Sequence, residues 1–162
     1  PRRTTSVAPT TTSAPTTTAS STTPTPVHQS STRHAVTYHA PVTRVAGTPC
    51  TSVARACVDI SRDKAWLISD GKIVLGPVSV TTGKPGHATP TGNFQVLWKD
   101  RHHLSHEFDN APMPYSVFFY PGDAFHTGSL AAESHGCVHL ANSTAARFFE
   151  FLHVGDPVQV KP

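Results

Sequence analysis

The composition of the first 32 residues limits which part of this 162-residue chain can fold. Thr, Ser and Pro make up 23 of residues 1–32, and no Trp, Tyr or Phe occurs before Tyr38. A segment with so few apolar side chains cannot bury a core, so we expect residues 1–49 to form a disordered, extended linker. Residues 50–162 hold 12 of the 13 aromatic side chains and are numerous enough for one folded domain.

The distributions of charged and of apolar residues argue against nucleic-acid binding and against a transmembrane span. All ten acidic residues lie at or beyond Asp59, and from Cys50 onward nine Lys and Arg face ten acidic residues. A nucleic-acid-binding domain would concentrate basic side chains on its folded part, so we expect no nucleic-acid partner. No apolar run approaches 18 residues, which predicts no transmembrane span. Any attachment to a membrane would therefore come from an anchor upstream of Pro1.

Short alternating apolar segments, separated by turn residues, predict a mostly β domain. Asp70-Gly71 between two apolar runs is a strong hairpin signal. Strands spaced 8–12 residues apart are typical of a sandwich or barrel, so we expect that architecture with one helix in the C-terminal half. The predicted strands are Ala56–Ile60, Lys64–Ile68, Lys72–Leu75, Val78–Thr82, Asn93–Lys99, Tyr115–Tyr120 and Val158–Val160.

Two further segments have their own signals. Asn142 and Ser143 are N-cap candidates for a helix whose apolar face ends near Leu152. Residues 142–144 also fit a glycosylation sequon, although a helix cap explains them more simply. The polar stretch Asp100–Pro114 predicts a long loop of the kind that binds a ligand or covers a site.

The chain has three cysteines, so at least one cannot pair within it. One possibility is a disulfide between Cys50 and Cys57 with Cys137 free, which an extracytoplasmic domain would favour. The other is that Cys50 and Cys57 are reduced and buried. The sequence alone leaves both open.

Histidines surround the third cysteine. His135 and His139 flank Cys137, and His126 lies 11 residues before it. A thiol with an adjacent imidazole is the pairing that nucleophilic catalysis requires, because the thiolate attacks and the imidazole carries the proton. The same residues could bind zinc, but their spacing matches no usual ligand pattern, so we expect no metal. The histidines at 102, 103 and 106 fit a solvated loop, and His87 has no partner in the sequence.

The segment SHGC at 134–137, with His126 upstream, resembles the catalytic domain of the L,D-transpeptidases (the YkuD-type family) of bacterial cell-wall enzymes. The stretch from Gly83 to TPTGNF at 89–94 is similar to a second family segment. The resemblance covers roughly residues 54–161. It implies a mostly β catalytic domain of the bacterial cell envelope, outside the cytoplasm, that uses no cofactor.

The resemblance also implies roles for individual residues. Cys137 matches the nucleophile and His126 the general base, oriented by the backbone carbonyl of Thr127. The N–H groups of Gly136 and Cys137 would bind the oxyanion. We further expect His126 to lie directly opposite Cys137 on a neighbouring strand.

Four more residues are expected at the substrate pocket. Ser134 and His135 belong to the motif and would shape it, and Tyr115 would line the donor site. His139 stands where the family often has Arg or Asn, so the role of that position is different here. The interval between His126 and the cysteine is short, which predicts a trimmed connecting loop.

The implied reaction is the formation of 3→3 cross-links between peptidoglycan stem peptides, through a Cys137 thioester and with loss of D-Ala. Alternatives with the same nucleophile are an L,D-carboxypeptidase and an enzyme that anchors proteins to peptidoglycan. A non-catalytic wall-binding module would have no use for a free thiol. Carbapenems, which characteristically acylate this family, are the expected inhibitors.

Overall fold

A computed structural model describes residues 41–162, and the predicted linker up to residue 40 lies outside the described residues. The described part forms two β-sheets and one helix, so the prediction of a mostly β fold with a single helix in the C-terminal half is confirmed. The elements are β1 (Ala56–Asp59), β2 (Lys64–Ser69), β3 (Lys72–Ser79), β4 (Gly92–Gln95), β5 (Trp98–Ser105), β6 (Ala111–Tyr120), β7 (Asp123–Thr127), β8 (Val138–Leu140), α1 (Asn142–Phe151) and β9 (Pro157–Lys161).

The first sheet has five strands in the order β3-β2-β1-β9-β4. The predicted hairpin at Asp70-Gly71 joins β2 and β3, and both turn residues have positive φ, as an Asp-Gly turn allows. The last strand, β9, runs parallel to β1 and antiparallel to β4, so it lies inside the sheet. This leaves β4 as an edge strand beside the second sheet.

The second sheet has four strands in the order β5-β6-β7-β8. The prediction of a loop over Asp100–Pro114 is wrong, because most of this stretch belongs to the β5–β6 hairpin. Asp109 and Asn110 adopt left-handed backbone conformations in its turn, and the Asn110 N–H donates to the Ser105 carbonyl at 2.9 Å. The polar side chains of β5 hid the strand, since they lack the apolar alternation that marks a half-buried strand.

The main core fills the space between the two sheets and the helix. Phe119 on β6, Phe125 on β7 and Phe148 on α1 are among its largest fully buried side chains. Ring centroids of Phe119 and Phe125 lie 4.9 Å apart, and those of Phe125 and Phe148 lie 5.2 Å apart. This aromatic packing holds β7 rigidly, and β7 carries part of the candidate site described below.

The helix begins without a side-chain cap. Ala141 occupies the N-cap position, so the prediction that Asn142 or Ser143 caps the helix is wrong. The Asn142 side chain instead accepts a hydrogen bond from the Thr127 hydroxyl at 3.1 Å, which ties α1 to the end of β7. Within residues 41–162, no helix has the length and apolarity needed to cross a membrane.

Folded structure begins before Cys50, so the boundary placed after residue 49 is too late. Val45 is buried in a small cluster with Trp66 and Ile68. The same cluster contains Cys50 and Cys57, which are joined by a disulfide with a Cα–Cα distance of 5.9 Å. Residues 41–49 pack because Val45 provides the apolar anchor that the preceding Thr/Ser/Pro tract lacks.

Candidate active site

The candidate site lies where β7 and β8 run side by side in parallel. His126 on β7 is directly opposite His139 on β8, and their ring centroids are 4.9 Å apart. The expectation that His126 faces Cys137 directly is therefore wrong. Cys137 precedes β8 and lies diagonally from His126. The strand spacing and the rise per residue place their Cα atoms about 8 Å apart. Both side chains nevertheless line one cavity of about 570 Å³.

His126 is oriented by the backbone of its own neighbour. Its Nδ1 lies 2.8 Å from the carbonyl oxygen of Thr127, which fixes the neutral ring as the Nδ1–H tautomer. Nε2 then keeps its lone pair for accepting a proton. Burial, assisted by the proximity of His139, lowers the pKa of His126 from its ordinary value of 6.5 to about 4.

The thiol of Cys137 is also desolvated. Its Sγ lies 3.7 Å from the carbonyl oxygen of Gly122, in the turn between β6 and β7. Burial raises the pKa of Cys137 to about 11, and the nearby Asp123 carboxylate adds to the increase. At neutral pH the pair is thus a protonated thiol and a neutral imidazole, so the thiol keeps its proton until it attacks.

The backbone around the cysteine is held by Ser134. The Gly136 N–H donates to the Ser134 hydroxyl oxygen at 3.0 Å, and the same hydroxyl donates to the Cys137 carbonyl at 2.5 Å. The Gly136 N–H, which was predicted to bind the oxyanion, thus donates to a side chain of its own loop in this structure. Ser134, which was predicted to shape the substrate pocket, lines the cavity and stabilises the loop.

Thr89 connects the second family segment to this loop. Its hydroxyl accepts a hydrogen bond from the Gly83 N–H at 2.9 Å and donates to the Gly136 carbonyl at 2.8 Å. A Cβ at Gly83 would lie 1.9 Å from the carbonyl oxygen of His87, so only glycine fits there. The TPTG segment thus acts on the site through one buried hydroxyl, a role that its sequence did not reveal.

Asp123 is a second residue that the sequence did not reveal. Its carboxylate packs against Gly136, where the backbone φ is +128° and an added Cβ would lie 2.1 Å from the Asp123 oxygen. Burial, together with Glu107, raises the pKa of Asp123 from 3.8 to about 6. Its position in the Pro-Gly-Asp turn after β6 was the only available signal.

Three rings from different segments of the chain pack together in the lining of the cavity. His135 is exposed, and its ring lies 4.9 Å from that of His87 and 4.8 Å from that of Phe108. Phe108 is at the tip of the β5–β6 hairpin, so this hairpin covers the site in the way proposed for a loop. His135 and His139, which were predicted to bind substrate, both line the cavity.

Tyr115 is not part of the cavity lining, so its assignment to the donor site is wrong. Its backbone has a φ of +60°, and its ring packs against Phe149 of α1 at 6.0 Å. The guanidinium of Arg101 lies 5.2 Å from the same ring. Tyr115 therefore joins the hairpin to the helix. In the part of the chain that the structure describes, no group of three or more His, Cys, Asp or Glu side chains is arranged to hold a metal ion.

Comparison with known proteins identifies a family for most of the described residues. The model of the L,D-transpeptidase catalytic domain (YkuD) matches residues 54–160. An L,D-transpeptidase from Stackebrandtia nassauensis is 34% identical with a TM-score of 0.63, over 66% of this chain and 54% of that one. One from Mycobacterium tuberculosis is 25% identical with a TM-score of 0.60, over 66% and 57%.

A third similar structure is an LD transpeptidase in complex with imipenem. It is 26% identical with a TM-score of 0.58, over 65% of this chain and 57% of that one. The chain thus spans a little over half the length of each of these three structures. Comparison with curated proteins gave no match.

Proposed function

The chain belongs to the L,D-transpeptidase catalytic-domain family, and we propose that it forms 3→3 cross-links in peptidoglycan with Cys137 as nucleophile. One observation carries this proposal: the free thiol of Cys137 and the imidazole of His126 line the same cavity, and the Thr127 carbonyl leaves Nε2 of His126 as the proton acceptor.

Acylation begins when His126 takes the proton of the Cys137 thiol as the sulfur attacks the carbonyl carbon of the third residue of a tetrapeptide stem. The C–S bond of a thioester forms, and the amide bond to the terminal D-Ala breaks. The imidazolium returns the proton to the departing amine, so no net charge accumulates. The diagonal arrangement on the sheet requires the imidazole to lean along its strand towards the sulfur, as side chains on strands do.

In the transfer step, the thioester is attacked and the Cys137 thiolate is the leaving group. The side-chain amine of a neighbouring stem attacks the thioester, the C–S bond breaks and a new amide bond forms. His126 takes the proton lost by the amine and returns it to the thiolate of Cys137. The Cys137 N–H is the remaining donor of the expected oxyanion pair, because Ser134 binds the other.

The reaction takes place in the cell envelope, where the substrate is found. The disulfide between Cys50 and Cys57 supports an extracytoplasmic location, because such bonds persist in oxidising compartments. Carbapenem acylation of Cys137 is part of the same proposal, and it is supported by the similar LD transpeptidase that was solved with imipenem.

The proposal is tested by incubating the full chain with a disaccharide-tetrapeptide and identifying the products by mass spectrometry. A cross-linked dimer lacking one D-Ala is the expected product, and the Cys137→Ala variant should give none. A tripeptide product without dimer would identify a carboxypeptidase instead. No product under conditions in which a known family member reacts would contradict the proposal.

A further inference from the structure

A second groove lies beside the catalytic cavity, along the free edge of β4. It has a volume of about 630 Å³ and is lined in part by Asn93, Phe94, Gln95, Tyr120 and Pro121. None of these residues was assigned a role from the sequence, and none takes part in the reaction derived above. We call this feature the edge groove.

The chemistry of the edge groove is neutral and amphipathic. The described residues that line it carry no charge, whereas Asp123, Glu107 and several histidines line the catalytic cavity. The amides of Asn93 and Gln95 each offer both hydrogen-bond donors and an acceptor. A neutral ligand with many hydroxyl and amide groups matches this lining better than a charged peptide does.

Tyr120 provides a rigid aromatic surface in the groove. It is 42% exposed, and its ring meets that of Phe94 at 5.5 Å in a T-shaped contact. Phe94 in turn contacts Phe119 of the main core at 5.8 Å. An exposed aromatic ring held in this way can stack against the C–H face of a sugar ring, while the neighbouring amides bind the sugar's hydroxyl groups.

The edge groove adjoins the catalytic cavity. Pro121 lines both, and Tyr120 and Asp123 pair across the turn that separates them. The carbonyl oxygen of Gly122, in the same turn, lies 3.7 Å from the sulfur of Cys137. Only Pro121 separates Gly122 from Tyr120 in the chain, so the aromatic ring is attached beside the turn that contacts the sulfur.

We propose that the edge groove binds the glycan strand of the substrate whose stem peptide enters the catalytic cavity. This inference rests on the proposed function. In that reaction the attacked carbonyl belongs to the third stem residue, and three extended residues span about 10 Å between that carbonyl and the sugar. The sugar of a stem peptide bound at the sulfur therefore lies about 10 Å from it, within reach of a groove that shares Pro121 with the catalytic cavity. A glycan of N-acetylated sugars is also neutral, as the groove requires.

The test measures binding of tetra-N-acetylglucosamine to the full chain by NMR titration, with Tyr120→Ala and Tyr120→Phe as the matched pair. Resonances of Asn93, Gln95 and Tyr120 should shift on addition of the oligosaccharide. Tyr120→Ala should weaken binding about tenfold, as expected for the loss of one stacking contact, and Tyr120→Phe should bind nearly as well as the wild type. Val74→Ala, an exposed apolar position on β3 at the opposite edge of the same sheet, serves as the control with unchanged binding.

Three results would overturn the inference. The first is oligosaccharide binding that is absent or equal in Tyr120→Ala and wild type. The second is groove resonances that respond to a sugar-free stem tetrapeptide instead, which would indicate addition of a peptide strand to the free edge of β4. The third is resonances that shift with protein concentration alone, which would indicate a second copy. The oligosaccharide carries no stem peptide, so none of these results depends on whether Cys137 performs the proposed reaction.

Discussion

His126 and His139 face each other across two parallel strands with ring centroids 4.9 Å apart, and their surroundings give them different tasks. The Nδ1 of His139 is 3.1 Å from the Ser129 carbonyl, and its ring lies so close to Gly128 that a Cβ there would be 2.4 Å away. The ring of His126 is held through the Thr127 carbonyl, and His126 lines the cavity. The second imidazole therefore supports the first, which we identify as the proposed base.

We predict that His126→Ala lowers the rate of carbapenem acylation at Cys137 by about 10²–10⁴-fold, the usual contribution of a general base. His139→Ala should lower it less, because that ring packs beside the base without carrying the proton. Intact-protein mass spectrometry over time gives both rates, and circular dichroism checks the fold. Equal losses in two folded variants would mean that the base has been assigned to the wrong histidine.

The sequence predicted the parts of the fold that depend on local patterns. The Asp70-Gly71 turn and the apolar face of α1 are determined by neighbouring residues, and both form. The strand β5 was missed because its exposed polar side chains depend on pairing with β6, which no local window contains. The predicted N-cap of α1 was wrong because the Asn142 side chain binds Thr127 of β7 instead.

The site was predictable in its residue types and only partly in its geometry. Cys137 and His126, which the motif singled out, line one cavity. The strand register that places them diagonally comes from the pairing of β7 with β8. Asp123 and Thr89 act through contacts with Gly136 that only the folded chain creates. The position of Tyr115 against α1 has the same origin.

The pH dependence of thiol alkylation follows from the raised pKa of Cys137. Because that pKa is about 11 and His126 is neutral above about pH 4, we predict that the rate with iodoacetamide keeps rising between pH 8 and 10. An ordinary cysteine, whose pKa is about 8.5, would be almost fully ionised by pH 10, so its rate would level off there. Peptide mapping should show no label on Cys50 or Cys57 without reductant. A rate that is already constant at pH 7 would indicate a preformed thiolate and contradict this part of the account.

Thr89 should matter for both stability and activity. Thr89→Val keeps the shape of the side chain but leaves the Gly83 N–H and the Gly136 carbonyl without their partner, which costs about 1–3 kcal/mol for such a buried group. We expect a lower free energy of unfolding in urea and slower acylation, because the loop before Cys137 loses its support. Thr89→Ser keeps the hydroxyl and should restore most of both. A Thr89→Val variant as stable and active as Thr89→Ser would show that these hydrogen bonds contribute little.

Asp123 should make the protein less stable as the pH rises. Its folded pKa of about 6 lies above its ordinary value of 3.8, so ionisation costs folding free energy, and stability is lost between about pH 4 and 6. The full shift corresponds to about 3 kcal/mol, which solvent screening at this half-exposed group reduces to about 1 kcal/mol. Asp123→Asn should therefore be more stable than wild type at pH 8 and equally stable at pH 4, as measured by urea unfolding. A difference that is the same at both pH values would exclude ionisation as its cause.

The central claim, that Cys137 carries the acyl group, is tested most directly by the mass of the enzyme trapped during reaction with a tetrapeptide stem in the absence of an acceptor amine. The account predicts an added mass equal to the stem minus D-Ala, located by peptide mapping on Cys137, and no such adduct on Cys137→Ala. Release of D-Ala at an equal rate by Cys137→Ala, or an adduct on another residue, would contradict it.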